Sequence, residues 1–256
     1  MTACGDEKGY PSLDAFYGGS PDGGSSSSGG GSSSGGTSAN VSCGGISSTG
    51  LLAYLPLDGD ARVLGTALRV TNPPPSSSFV SGRMGQASSG SKQLFLEPTK
   101  SFSLSSWTAC AWVRVSSESN IGFLAVPGSP PLNSGVADSS LVSGCGSVGV
   151  APYVTTSSGN CIVGTGAPFE VDEWNFLCVV SDSSSTRIHL DGITASESGK
   201  GSISLSIGPG LTLAVGGGPP GSNAIDEFSF WSRALTPEEM QSLATTRCSA
   251  GGGESP

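Results

Sequence analysis

The chain has 256 residues, of which 12% are charged, 40 are glycine and 17 are proline. This composition is typical of an exported β protein with many turns. The sequence contains no run of about 18 apolar residues, the length that a helix needs to span a bilayer. The net charge of −9 would repel phosphate backbones and no basic stripe offsets it, so we expect no binding to nucleic acid.

The first residues are Met1-Thr2-Ala3-Cys4. They resemble the end of a bacterial lipobox, in which Leu, a small residue and Ala or Gly precede a lipidated Cys, although Met stands here where Leu is usual. The resemblance implies a lipid anchor on Cys4, which would make a membrane one of the partners. A cytosolic start with an accidental Cys is the alternative interpretation.

Residues 18–39 are almost entirely Gly and Ser. Such a segment cannot bury enough apolar surface to offset the entropy of ordering, so we predict a disordered tether within residues 1–45. Random-coil scaling gives the roughly 40 residues after Cys4 a reach of about 35 Å. This reach would hold a folded domain clear of its anchor.

From residue 46 to residue 235, short runs with period-2 alternation predict strands. Clusters of Gly, Pro, Asn and Ser at residues 71–75, 126–131 and 216–221 predict the loops between them. The strand pattern ends at Thr236-Pro237-Glu238-Glu239. Thr236 and Glu239 form a capping box around a proline at the first helical position, which predicts a helix from Pro237 to Thr246.

Six segments carry motifs that are each weak alone but together, in their order along the chain, indicate a fold family. They are GLLAYLPLDGDA (50–61), GRMGQA (82–87), FSLSSWTACAWV (102–113), WNFLCVV (174–180), RIHLDG (187–192) and IDEFSFWSRALTPEEM (225–240). Together they resemble the laminin-G-like, concanavalin A-like jelly rolls of many bacterial surface proteins. The resemblance implies an all-β, two-sheet antiparallel jelly-roll sandwich at residues 46–248, with a short C-terminal helix and a disordered tail at residues 249–256.

Seven cysteines are present. With Cys4 set aside for lipid, six remain and allow 15 connectivities, so the sequence alone does not choose among them. The resemblance brings the chain ends together and favours Cys43 with Cys248, Cys145 with Cys161 across a hairpin, and Cys110 with Cys178 on core strands. Cys110 and Cys178 could equally be buried free thiols. Any such disulfide implies an oxidising compartment.

The sequence bears on two metals, zinc and calcium. The absence of a C-x-x-C pair and the single histidine, His189, argue against zinc. The resemblance implies a structural Ca²⁺ held by Asp226 with Asp58 or Asp60, completed by backbone carbonyls. The alternative is that Asp226 accepts backbone amides and Glu227 is solvated.

Catalysis would need two same-face carboxylates, as in laminarinase-type hydrolases that share this fold. The nearest imitation is Glu170-Val171-Asp172-Glu173, where a strand would point Glu170 and Glu173 to opposite faces. We therefore expect no catalytic residues and no enzyme activity.

The tryptophans offer a second route to function. Trp107, Trp112, Trp174 and Trp231 are expected in the core, although an exposed one could stack on a sugar ring.

These observations predict a non-catalytic binding or adhesion module for a glycan or a cell-surface protein. We expect it to be exported and held at a bacterial outer membrane or cell surface, with the domain in the periplasm or outside the cell. The alternatives are a laminarinase-type glycoside hydrolase and a structural envelope protein without a soluble ligand. The fold analogy behind the binding function leaves the ligand unknown.

Overall fold

The computed structural model describes residues 40–43, 46–89, 93–116, 121–127, 132–138, 150–156, 161–195, 201–218 and 223–251. Cys4, Cys145 and residues 1–39 lie outside this part of the chain. The predictions of a lipid anchor, of most of the tether and of the tail after residue 251 therefore stay predictions.

Alternating apolar residues in this part of the chain form short β-strands, with one α-helix and one 3-10 turn at Ser76–Ser78. The elements are β1 (Asn40–Cys43), β2 (Leu51–Leu55), β3 (Leu68–Val70), β4 (Phe79–Ser81), β5 (Gln86–Ser89), β6 (Gln93–Pro98), β7 (Phe102–Leu104), β8 (Trp107–Arg114), β9 (Ile121–Val126), β10 (Leu132–Asp138), β11 (Val150–Thr156), β12 (Cys161–Val163), β13 (Asn175–Ser181), β14 (Thr186–Leu190), β15 (Ile193–Thr194), β16 (Leu205–Ile207), β17 (Leu213–Gly216), β18 (Ala224–Trp231), α1 (Pro237–Thr245) and β19 (Cys248–Gly251).

The strands form two large antiparallel sheets. The seven-stranded sheet has the order β12-β11-β10-β9-β17-β6-β3, and the eight-stranded sheet has the order β15-β14-β13-β8-β18-β5-β4, with β2 also pairing to β18. The two sheets pack face to face, because residues of both contribute to one hydrophobic cluster that includes Leu94, Phe123, Phe228 and Phe230. The predicted all-β sandwich with a short helix is therefore confirmed.

A second hydrophobic cluster covers the outer face of the eight-stranded sheet. It joins Trp112 and Trp231 of the sheet to Met240 and Leu243 of α1. The helix begins as predicted, because the Thr236 hydroxyl accepts from the amide of Glu239 and the Glu239 carboxylate accepts from the amide of Thr236. It ends at Thr245, one residue before the predicted end.

The two ends of the domain lie side by side. Strand β1 pairs with β19 so that Cys43 faces Cys248, and the two form a disulfide. Strand β1 begins at Asn40 and β19 ends at Gly251, on the outer sides of the predicted limits at residues 46 and 248, and these limits stay a prediction.

Candidate functional site

The acidic pair Asp226 and Glu227 lies at an irregularity in β18. The pairing register with β8 shifts between Asp226 and Ser229, and Glu227 adopts a φ of +52°, which L-residues seldom adopt. Asp226 accepts hydrogen bonds from the amides of Met84 (3.0 Å) and Glu227 (2.9 Å). Asp226 is fully buried and Glu227 is 4% exposed.

Arg247 supplies the positive charge for this cluster. Its Nε lies 2.7 Å from Glu227 Oε1, and its Nη1 lies 2.7 Å from Asp58 Oδ2, while Nη2 donates to Asp58 Oδ1 at 3.0 Å. Neither oxygen of Glu227 accepts a well-aligned hydrogen bond from a described residue, so the contact to Arg247 is ionic. The guanidinium thus bridges two carboxylates from opposite ends of the chain.

Two glycines of the GRMGQA turn allow the backbone to approach these acids. A Cβ at Gly82 would lie 2.7 Å from Asp226 Oδ2, and a Cβ at Gly85, where φ is +86°, would overlap Asp58 Oδ1. Asp58 also accepts a hydrogen bond from the amide of Gln86 at 2.9 Å. The glycine spacing in this motif therefore follows from contacts with Asp58 and Asp226.

Burial dominates the electrostatics of the acidic pair. Desolvation raises the pKa of Asp226 to about 7, against the opposing effect of the backbone amides that donate to it. Desolvation likewise raises the pKa of Glu227 to about 7, although the charge of Arg247 works in the other direction. Removing a carboxylate from water penalises its charged form, and Arg247 compensates this penalty only in part.

The predicted calcium ligands engage other groups in this structure, and calcium binding stays a prediction. Within the described residues no three His, Cys, Asp or Glu side chains are grouped so that they could hold a metal. Asp60 accepts from the amide of Arg62, and the guanidinium of Arg247 contacts Asp58. This guanidinium would compete with Ca²⁺, which requires six to eight oxygen ligands, for the Asp58 carboxylate.

The hydrolase-like acidic segment does not form a strand. Glu170, Asp172 and Glu173 are exposed in the turn that precedes β13, and the Asn175 side chain binds the backbone of Glu170 and Glu173. His189 lies on β14, 3.2 Å from the Thr194 hydroxyl. Burial is the main cause that lowers its pKa.

The tryptophans are mostly core residues. Trp107 and Trp231 are fully buried and Trp112 is 7% exposed. Trp174 is half-buried. The guanidinium carbon of Arg114 lies 5.1 Å from the centre of the Trp174 ring. Trp107, Trp112 and Trp231 are therefore not available to stack on a ligand.

The outer face of the seven-stranded sheet has a different chemistry. The register aligns Asn133, Ala125, Ala214 and Phe95 in one row across β10, β9, β17 and β6. In the neighbouring rows Gly135 is opposite both Tyr153 and Gly122, and Gln93 is opposite Gly216. Larger side chains thus flank a strip of small ones along β9 and β17.

We call this strip the furrow. Its floor consists of Gly122, Ala125, Ala214 and Gly216, and its walls carry Asn133 and Tyr153 on one side and Gln93 and Phe95 on the other. Three strand spacings separate β10 from β6, which is about 14 Å. Side chains on both walls stand roughly perpendicular to the sheet.

Two polar tips lean over the furrow across glycines. A Cβ at Gly135 would lie 3.1 Å from the Tyr153 hydroxyl, and a Cβ at Gly217 would lie 3.2 Å from Gln93 Nε2. Tyr153 is 7% exposed, and burial raises its pKa to about 12. Asn133 Oδ1 is buried and lacks a hydrogen-bond partner among the described residues.

The furrow was not predicted because its residues come from five separate strands, β6, β9, β10, β11 and β17. The available signal was the presence of glycines inside predicted strands, which often mark a close approach of side chain or ligand. The wall residues Tyr153, Asn133, Gln93 and Phe95 are uncharged. Beyond Phe95 on β6, Glu97 forms an ion pair with Arg69 at 2.5 Å.

The ordered motifs and the sandwich topology agree with a comparison to known families. The model of the concanavalin A-like lectin/glucanases superfamily matches residues 88–241, which is more than half of the chain. The chain belongs to this family. The predicted resemblance to laminin-G-like domains is thereby confirmed.

Solved structures share the fold at low identity. Domain 4 of AbnA, a GH43 extracellular arabinanase from Geobacillus stearothermophilus in complex with arabinotriose, has a TM-score of 0.56 at 18% identity, and the match covers 76% of this chain and 98% of that one. A Trypanosoma rangeli sialidase (TM-score 0.49, 11% identity) and the binding domain of Paraclostridial Mosquitocidal Protein 1 (0.49, 13%) each match 76% of this chain, but the matches span only 32% and 51% of theirs. No curated protein sequence matches the chain.

The disulfides bear on the cellular compartment. Cys43 is bonded to Cys248 and Cys110 to Cys178, which are two of the three predicted pairs. Cys161 is also disulfide-bonded, while Cys145, its predicted partner, lies outside the described residues. Disulfides persist in oxidising compartments, so the protein is exported. No helix in the described residues is both long and apolar enough to cross a bilayer.

Proposed function

We propose that this protein is a non-catalytic glycan-binding module displayed at the surface of a bacterial cell. The observation that carries the proposal is the uncharged furrow, in which a phenol, two amides and an aromatic ring flank a floor of small residues. Amide and hydroxyl groups pair with sugar hydroxyls, and aromatic rings pack on the apolar faces of sugars. The likeness to an arabinanase domain in complex with arabinotriose supports this proposal.

The chemistry of the acidic residues supports binding without turnover. Retaining hydrolysis requires two carboxyl groups about 5 to 5.5 Å apart across a substrate groove. Glu170 and Glu173 lie in a turn, and Asp226 and Glu227 are engaged by backbone amides and by Arg247. None of these four acids belongs to the furrow.

The proposal is tested with the purified domain on an array of neutral and sialylated oligosaccharides, followed by product analysis of every glycan retained. We expect retention of at least one glycan and no released sugar after prolonged incubation. Release of reducing sugar would show a hydrolase. Retention of no glycan would overturn the glycan-binding function and favour a structural envelope protein.

Membrane anchoring through Cys4 is part of the same proposal. A lipidated Cys followed by a polar segment of about 40 residues would hold the domain away from the membrane. Cys4→Ser should move the protein expressed with its native export signal from the membrane fraction to the soluble fraction, with loss of acyl-chain label. An unchanged distribution would contradict the anchor without affecting glycan binding.

A further inference from the structure

A row of polar residues crosses the outer face of the eight-stranded sheet. The register makes Tyr54, Ser229, Cys110, Cys178 and His189 successive cross-strand neighbours on β2, β18, β8, β13 and β14. Cys110 and Cys178 form the disulfide in the middle of this row. The disulfide therefore has a polar neighbour on each side, Ser229 beside Cys110 and His189 beside Cys178.

These polar neighbours do not serve the stability of the sheet. The Ser229 hydroxyl and the Tyr54 hydroxyl are buried and lack hydrogen-bond partners among the described residues, which is unfavourable for folding. The disulfide itself joins two strands that already pair along seven residue pairs. A purely structural cross-link would be better surrounded by apolar side chains. The row therefore points to a chemical use of the disulfide.

The two neighbours differ in what they offer a sulfur atom. Residues directly opposite each other on antiparallel strands have Cβ atoms about 4.5 to 5.5 Å apart, so His189 is within reach of the Cys178 sulfur. When the Thr194 hydroxyl donates to Nδ1 of His189, the ring proton lies on Nε2 and can be donated to a thiolate. A stabilised thiolate is the better leaving group. An attacking thiolate should therefore bond to Cys110 and release Cys178.

Helix α1 controls access to the disulfide. Cys110 and Cys178 are 0% and 1% exposed, in the same hydrophobic cluster as Met240 and Leu243 of α1. The helix has nine residues, and Met240 and Leu243 are its two buried ones. A helix of this length is not stable alone, and weakly attached elements open more readily than the whole domain unfolds. Opening of α1 would uncover the disulfide while both sheets stay folded.

We propose that Cys110–Cys178 is a redox-active disulfide that a dithiol reductant reaches when α1 opens, with His189 as its positioning residue. The first thiolate of the reductant attacks Cys110 Sγ, the bond between the two sulfurs breaks, and Cys178 leaves as a thiolate. The second thiolate of the reductant then displaces Cys110 from the mixed disulfide. The reductant is oxidised to a disulfide, and its two protons end on Cys110 and Cys178. This inference does not depend on glycan binding.

The test follows reduction of the folded, full-length Cys4→Ser chain by dithiothreitol, with alkylation and peptide mass to locate each free thiol. Cys110 and Cys178 should become alkylated while thermal melting still shows a folded domain. Thr236→Ala removes the cap of α1 and should accelerate their reduction about fivefold. The matched control is Gln241→Lys on the exposed side of α1, which keeps helix propensity and should leave the rate unchanged.

Two further measurements separate local opening from unfolding and assign the attacked sulfur. Phe123→Leu, in the core between the sheets, lowers global stability and should not accelerate reduction. With glutathione as a single thiol, the mixed disulfide should form on Cys110, and His189→Gln should lose this preference.

Three outcomes would overturn parts of the inference. If the folded wild type keeps Cys110 and Cys178 joined through prolonged incubation with dithiothreitol, the disulfide is structural and the inference fails. If Phe123→Leu accelerates reduction as much as Thr236→Ala does, reduction follows global unfolding and α1 is not the lid. If glutathione is found on Cys178, His189 does not direct the attack.

Discussion

At the scale of single residues, Arg247 stabilises the buried carboxylate of Glu227. Its guanidinium neutralises Glu227, whose side chain is only 3% exposed, and it also binds Asp58. An uncompensated buried charge is among the most destabilising defects in a protein. Arg247 therefore compensates the negative charge of two carboxylates, Glu227 and Asp58.

Replacing Arg247 tests this role. Arg247→Met should lower the free energy of unfolding by about 2 to 4 kcal/mol, and adding Glu227→Gln should recover part of that loss. Arg69→Met breaks an ion pair whose arginine side chain is 67% exposed and should cost at most about 1 kcal/mol. Urea denaturation measures all three. Equal losses for Arg247→Met and Arg69→Met would show that burial of the pair is unimportant.

The raised pKa values of Asp226 and Glu227 predict a pH dependence. Both lie near 7 in the folded protein, against ordinary values of 3.8 and 4.5. The folded state then binds protons more tightly than the unfolded state, so their contribution to stability is complete below about pH 4 and is lost as pH rises toward 7. The combined loss should be on the order of several kcal/mol, because a difference of one pKa unit corresponds to about 1.4 kcal/mol for each group.

The measurement compares unfolding free energies between pH 5 and pH 7.5. The double variant Asp226→Asn/Glu227→Gln should show a flatter profile than the wild type, whereas Glu173→Gln, on an exposed turn, should follow the wild type. A wild-type stability that rises over this interval would contradict the assignment. The carboxyls with lowered pKa values, such as Glu239 beside Arg233, lose their contribution only at lower pH and do not mask the trend.

At the scale of elements, the GRMGQA turn shows how a motif encodes contacts. Gly85 and Gly210 have nearly the same φ, +86° and +85°, but only at Gly85 would a Cβ overlap another residue, namely Asp58. Each alanine substitution incurs the backbone penalty of positive φ, about 1 kcal/mol. Gly85→Ala must additionally displace the carboxylate that binds Arg247.

We therefore expect Gly85→Ala to destabilise the domain by at least about 2 kcal/mol more than Gly210→Ala. Chemical denaturation of the two variants gives this difference directly. Similar values for the two would mean that the turn can shift away from Asp58 without loss.

Sequence patterns predicted those helices and strands that depend on residues close together in the chain. The capping box placed α1 within one residue, and alternation placed β18. The furrow has no local cause, because Gln93, Ala125, Asn133 and Tyr153 meet only through strand register. The role of Arg247 was missed for the same reason, since its partner Asp58 lies 189 residues away in the chain.

At the scale of the whole molecule, the disulfide between Cys43 and Cys248 closes a loop with a sequence separation of 205 residues. The chain-entropy model gives it about 5 kcal/mol of stabilisation as an upper value. The same disulfide fixes Arg247, the preceding residue, near Glu227. Its loss should therefore affect both the chain ends and the buried acid.

The variant Cys43→Ser/Cys248→Ser should lose about 3 to 5 kcal/mol in denaturant unfolding. It should also lose most of the additional effect of Arg247→Met, because the arginine is no longer held in place. A loss below about 1 kcal/mol would show that hydrogen bonds between β1 and β19 alone hold the ends.

The position of β1 determines the side on which the N-terminal segment joins the domain. Val41 and Cys43 pack into the cluster on the outer face of the eight-stranded sheet, so the chain enters the domain on the side opposite the furrow. A force applied through the incoming chain acts at Cys43 and is shared with Cys248 through their disulfide, so it does not unzip the strands of the sandwich one after another. A ligand on the furrow would lie on the face turned away from this point of attachment.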